Sequence, residues 1–146
     1  MKLLVINFLK RLLKKRCKTF KLGEGQVKRY TIIEIRSLFS IYIHEIETRC
    51  QDRFHTHAFN AIGWTITGGY LEEQLPSMNH TGPGKIVKVS GVRRIPRELN
   101  HRLLRALPNT NTILFTGAYS HLWTEEDSEG VKLITTHQQV VGHFKK

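Results

Sequence analysis

Cysteine is scarce in this chain of 146 residues: Cys17 and Cys50 stand in unlike surroundings and form no C-x-x-C pair. A disulfide scaffold and a cysteine-built zinc knuckle are excluded, and a reducing interior is the natural compartment. Acidic residues are also few, 12 against 23 lysines and arginines. The sequence contains no G-x-x-x-x-G-K-[ST] loop, no G-x-G-x-x-G, no H-E-x-x-H and no G-x-S-x-G, so nucleotide-loop, zincin and serine-hydrolase chemistry have no foothold. The serines and cysteines have no adjacent base that would mark a nucleophile. There is no internal repeat or low-complexity tract. No apolar run approaches the roughly 20 residues of a membrane-spanning helix. The length suits one domain with a hydrophobic core of its own.

The net charge of +11 is unevenly placed. Eight cations (Lys2, Lys10, Arg11, Lys14, Lys15, Arg16, Lys18 and Lys21) precede the first acid, Glu24, which leaves only +3 for the rest of the chain. Basicity therefore belongs to an N-terminal arm, residues 1–22, and not to the domain of residues 23–146 that follows the Gly23-Glu24-Gly25 joint. Val5, Phe8, Leu9, Leu12 and Leu13 recur at helical spacing, with Lys10, Arg11, Lys14, Lys15 and Lys18 opposite. This pattern predicts an amphipathic helix from residue 3 to about 18, its leucine face packed on protein and its lysines in solvent or on an acidic partner. The positive cluster follows the apolar stretch and no small-residue cleavage site comes next, unlike a secretory signal. The expected partner of the arm is protein, including a second copy. Nucleic acid and a membrane surface stand behind it, since few aromatics are interleaved for base stacking.

Beyond the joint, strands are expected at Arg29–Ile35, Phe39–Ile46, Gly69–Gln74, Lys85–Ser90, Thr112–Thr116 and Val131–Thr136, separated by glycine, proline and asparagine turns. That rhythm argues for an all-β sandwich or small barrel. Pro76 to Gly84 reads as a surface loop, and Leu103–Leu107 as a short helical turn ended by Pro108-Asn109.

Within this frame the most informative residues are His55-Thr56-His57. On an extended segment residues two apart face the same way, so both imidazoles can address one ion. A third histidine from a distant strand would close a facial three-nitrogen site with open coordination positions, the mark of catalytic and ligand-binding metal centres. His101 is the candidate, giving a metal set of His55, His57 and His101. His44 has no fixed direction from alternation with its neighbours. His80, His137 and His143 are expected in solvent, as are Glu72 and Glu73 at a barrel rim. Alternation separates Ala61, Gly63, Thr65 and Thr67 from Ile62, Trp64 and Ile66, and Trp64 is expected to be packed in a core.

The spacing resembles the first motif of the cupin superfamily, H-x-H-x3-E-x6-G, with His55, His57 and Gly68 in place and Ala61 where the glutamate stands. The second motif, P-x-G-x2-H-x3-N, is matched by Pro96 and His101, while Glu98 and Arg105 replace the glycine and asparagine. Over roughly residues 30 to 125 the run His55, His57, Phe59, Gly68-Gly69-Tyr70-Leu71-Glu72-Glu73, His101-Arg102 and Thr112–Gly117 is similar to the small single-domain cupin-like proteins encoded by tailed bacteriophages. The resemblance implies a cupin-type double-stranded β-helix, or jelly-roll barrel, with Ala61 facing its cavity and His121 near its mouth. It also implies a divalent ion (iron, zinc, nickel or copper) on three neutral histidines, with a small polar or anionic ligand bound and transformed there. If an enzyme, it would be oxygenase-like, as in the similar thiol dioxygenases, or a Lewis-acid catalyst. The alternative is a non-catalytic phage accessory or virion component that uses the fold as an interaction scaffold. The corresponding location is the cytoplasm, that of the host if phage-encoded, or the virion.

Overall fold

The computed structural model describes residues 1–76 and 82–145. Most of the expected Pro76–Gly84 loop, with His80, lies outside the described residues. An N-terminal helix, α1 (Lys2–Leu12), and one 3-10 turn (Lys14–Arg16) lead into ten strands. These are β1 (Cys17–Leu22), β2 (Gly25–Ile35), β3 (Phe39–Ile46), β4 (Ala61–Leu75), β5 (Lys85–Ile95), β6 (Asn100–Ala106), β7 (Thr110–Thr116), β8 (Trp123–Glu126), β9 (Gly130–Ile134) and β10 (Val140–Lys145). The larger sheet runs β1-β2-β3-β7-β4-β5 with β6 also on β4, and β10-β9-β8 form a second sheet. The order is that of a cupin jelly roll preceded by a helix, as the sequence leads one to expect.

Strand β4 belongs to both halves of the barrel. Ala61–Thr65 pair with β7, while Tyr70–Leu75 pair with β6. Between them the chain kinks at Gly68, which has φ +70°. A Cβ there would fall 2.4 Å from Thr110 Oγ1 and 2.8 Å from Thr110 Cα, so only glycine fits the bend. The register slips across it, and Thr67, expected on the cavity wall, instead donates to the Asn109 carbonyl at 2.7 Å.

Leu103–Ala106 lie in β6, not in a helical turn. Two adjacent leucines satisfy either period. Pairing with β4, together with Leu103 packed against the core of Val27, Ile46, Cys50 and Ala106, decides for strand. Likewise Cys17–Leu22, expected partly in the helix, pair along their whole length with β2, which stops the helix at Leu12.

The helix packs on the outer face of the sheet in a different rotation from that expected. Ile6 is buried at 2% exposure against Tyr30 and Ile43, with Leu9, Leu13, Ile66 and Ile113 around them. Val5, Phe8 and Leu12, expected in the packed face, are exposed. The cause is Lys10. Its ammonium reaches Glu45 at 2.7 Å and Asn111 at 3.0 Å from a side chain only 12% exposed. A lysine expected in solvent therefore sets the helix phase, and the stripe Ile6, Leu9, Lys10, Leu13 is the one that meets the sheet. Trp64 stands on the same outer sheet face but beyond the helix, and is 40% exposed instead of packed in a core.

Candidate metal centre

The His-x-His segment is extended but is not part of a long strand. It is spliced between the two sheets by its main chain. His55 and His101 exchange both hydrogen bonds, at 3.0 and 3.1 Å, as an isolated antiparallel bridge. His57 N–H donates to the Arg97 carbonyl, and Thr56 N–H to that of Thr124. Residues opposed in such a pair put their side chains on one face, and the residue two along joins them. The rings of His55 and His101 accordingly lie 4.7 Å apart, those of His55 and His57 4.9 Å, and those of His57 and His101 5.1 Å. One nitrogen from each falls within 4.8 Å of the others. The Nε2 atoms of His57 and His101 face each other at 2.8 Å.

The outer nitrogens are engaged elsewhere. His55 Nδ1 donates to the Arg53 carbonyl at 2.9 Å, with Asp52 at 3.4 Å behind it. His101 Nδ1 has Glu72 Oε2 at 2.8 Å. The Arg53 carbonyl holds His55 Nδ1 protonated and leaves its Nε2 lone pair turned inward; at His101 the Glu72 carboxylate stands beside Nδ1 at ion-pair distance without hydrogen-bond alignment. Burial, reinforced by the neighbouring histidines, pushes His57 well below the ordinary histidine range. His101 is lowered as well, chiefly by burial and against the pull of Glu72. Both rings are thus neutral near pH 7, the form that binds a metal ion.

Glu72 corrects the sequence reading. Far from a solvated rim, its side chain is 1% exposed and grips Arg93 with both oxygens, at 2.7 and 2.5 Å. Burial alone would raise its pKa, but His101 and Arg93 outweigh that and hold it at about 2. The signal was present in the alternation past Gly69: Tyr70 and Glu72 share the inward face, and Leu71 and Glu73 point away. Glu73 is largely covered too, its carboxylate accepting from Arg102 at 2.8 Å and from the Gly84 N–H at 2.9 Å. Ala61, at the position of the cupin glutamate, is buried on the cavity wall. With Glu72 committed to Arg93 and standing against His101, the donor set is three imidazoles.

The rings open on an inner cavity of about 190 Å³, walled by small or apolar groups such as Ala61, Gly63, Thr65 and Leu114. His44 turns into this space, stacked on Tyr42 at 6.2 Å. Burial, with Arg29 adding to it, lowers its pKa to about 4. Phe59 stacks on His57 and in turn meets Tyr119, which lines the wider mouth together with Trp123. His121, expected near that mouth, is exposed and contacts Arg97 instead. His137 and His143 are exposed as expected, the latter near Asp127.

Compared by sequence, the chain matches no protein-family model and no curated protein. Its fold matches solved structures. A cupin 2 conserved barrel domain protein from Rhodopseudomonas palustris superposes with a TM-score of 0.56 at 14% identity, covering 77% of each chain. KdgF from Halomonas sp. gives 0.51 at 15% identity over 68% of this chain and 86% of that one. Oxalate decarboxylase from Bacillus subtilis, a protein with Mn(II) centres, gives 0.53 at 13% identity over 73% of this chain. This chain spans only 28% of the decarboxylase.

Proposed function

We propose that this protein holds one divalent metal ion on His55, His57 and His101 and uses the remaining coordination positions for a small anionic ligand. The carrying observation is the three converging imidazoles, each from the same short bridge between the sheets, with Nε2 of His57 and His101 2.8 Å apart and the outer nitrogens of His55 and His101 against the Arg53 carbonyl and Glu72. Three neutral ligands leave a divalent ion its full charge, which draws an acid group of the ligand to it. When bound, the ion would act as a Lewis acid or as a site for dioxygen and substrate. The chain's own contribution is a largely apolar cavity wall, a buried Glu72–Arg93 pair beside His101, and the three converging histidines. Resemblance to cupins, one of whose members acts on oxalate, supports the same reading.

The test is metal analysis after loading with zinc, nickel, iron(II) or copper and removal of excess. Wild-type protein should retain one ion per chain, and H55A, H57A and H101A should each retain far less while staying folded. Folded wild-type protein that takes up no stoichiometric metal refutes the reading.

A further inference from the structure

We infer that Arg29 is the anion receptor for the far end of the ligand, so that the ligand class is a small dicarboxylate, one acid group held at the three histidines and the other at this guanidinium. The inference rests on the metal reading above and adds a second point of attachment.

Arg29 lies on β2 opposite His44 of β3, on the inward face. It lines the mouth cavity of about 330 Å³ together with His44, His55 and His57, so one continuous space joins it to the imidazoles. Its guanidinium carbon sits 4.9 Å from the centre of the Phe20 ring and 4.8 Å from that of Tyr42. Two aromatic rings against a planar cation fix its position and leave the N–H groups in its plane to donate.

The contrast with other arginines of the barrel is chemical. Arg93 is paired with Glu72, Arg36 with Glu34 and Arg102 with Glu73. Among the described residues Arg29 has no carboxylate oxygen within the 4.0 Å ion-pair distance; its buried Nε has no hydrogen-bond partner, a feature it shares with Arg93. The acids nearest the mouth are otherwise placed. Glu34 accepts from Arg36 and from the Tyr42 hydroxyl, and Asp52 stands behind His55. Glu125 lines the mouth but makes no ion pair with Arg29. Arg29 is half-buried with no carboxylate in ion-pair reach, which makes its guanidinium a ready receptor for an anion from solution. Carboxylate fits the planar fork best of the common anions, through two parallel N–H···O bonds.

The experiment measures malonate and acetate binding by calorimetry on zinc-loaded and on metal-stripped protein, wild type against R29Q and R29K. A charge-assisted, two-pronged contact should make malonate about ten- to a hundredfold tighter than acetate on the loaded wild type. R29Q should erase that preference without changing metal content or acetate affinity, and R29K should restore part of it. An unchanged malonate preference in R29Q overturns the proposal while leaving the metal site standing. If R29Q does not fold, R29K decides: a preference equal to wild type, with the fork gone, counts against bidentate recognition. Should the wild type bind no metal, the metal reading fails on its own. Arg29 is then judged by the stripped protein, where malonate binding abolished in R29Q supports it and none in the wild type refutes it.

Discussion

Substituting Glu72 by glutamine tests whether the buried carboxylate organises the centre. The side chain keeps its size but loses the charge that answers Arg93 at 2.5 Å and stands 2.8 Å from His101 Nδ1. Removing one member of a buried ion pair strands the other, at a cost of about 3–5 kcal/mol. The amide oxygen can still accept one Arg93 N–H, so the lower end, about 3 kcal/mol, is expected. For a chain of this size that is a fall of roughly 10 °C in melting temperature. The double variant E72Q/R93M removes the stranded cation and should recover part of the loss, a coupling read from a double-mutant cycle. The effect on the metal is separate: losing the carboxylate behind a ligating histidine should weaken binding by about 10- to 100-fold. Urea unfolding of stripped protein gives the first quantity and zinc titration the second. An E72Q protein within about 0.5 kcal/mol of wild type and with unchanged zinc affinity would show that Glu72 is peripheral, and the reasoning from its burial would be wrong.

Three further outcomes follow from other parts of the structure. His44 is held neutral down to about pH 4 in the fold but titrates near 6.5 when unfolded, so the unfolded chain binds the extra proton and stability falls from pH 6.5 towards 4, by about 3 kcal/mol from this group. The depressed His57 and His101 act in the same direction, and Glu72 adds a further loss between its ordinary 4.5 and about 2; urea midpoints for stripped protein that do not fall between pH 7.5 and 4.5 would contradict this. On the helix, I6A should cost about 2–4 kcal/mol and F8A under about 0.5; the reverse order in denaturation would restore the helix phase expected from sequence. G68A combines a positive φ with a Cβ placed against Thr110 and should cost at least about 2 kcal/mol, measured by thermal unfolding.

Turn chemistry and two-residue periodicity made the barrel legible, because strands bounded by glycine, proline and asparagine look alike in sequence and in space. His55 and His57 were legible as a pair for the same reason. What escaped was set by long-range partners. The direction of Glu72 depends on Arg93 across β5, and the rotation of α1 depends on Glu45 and Asn111, far along the chain from Lys10. A charged side chain read alone defaults to solvent; only the opposite charge arriving from another strand makes burial the lower-energy choice. Arg29 escaped because nothing local distinguishes an unpaired arginine from a paired one.

The place of β7 between β3 and β4 has a consequence for how the chain acquires its shape. Tyr30 pairs with Ile43 early, but Ile43 must then wait for Ile113, and Trp64 for the same residue from its other side. During synthesis β3 and β4 leave the ribosome with one backbone edge each unpaired until β7 follows. Pairings so distant in sequence make for slow folding, on the order of milliseconds to seconds. Accumulating chains would therefore be most vulnerable to edge-to-edge association before residue 116 has emerged, and least so once β7 slides between β3 and β4.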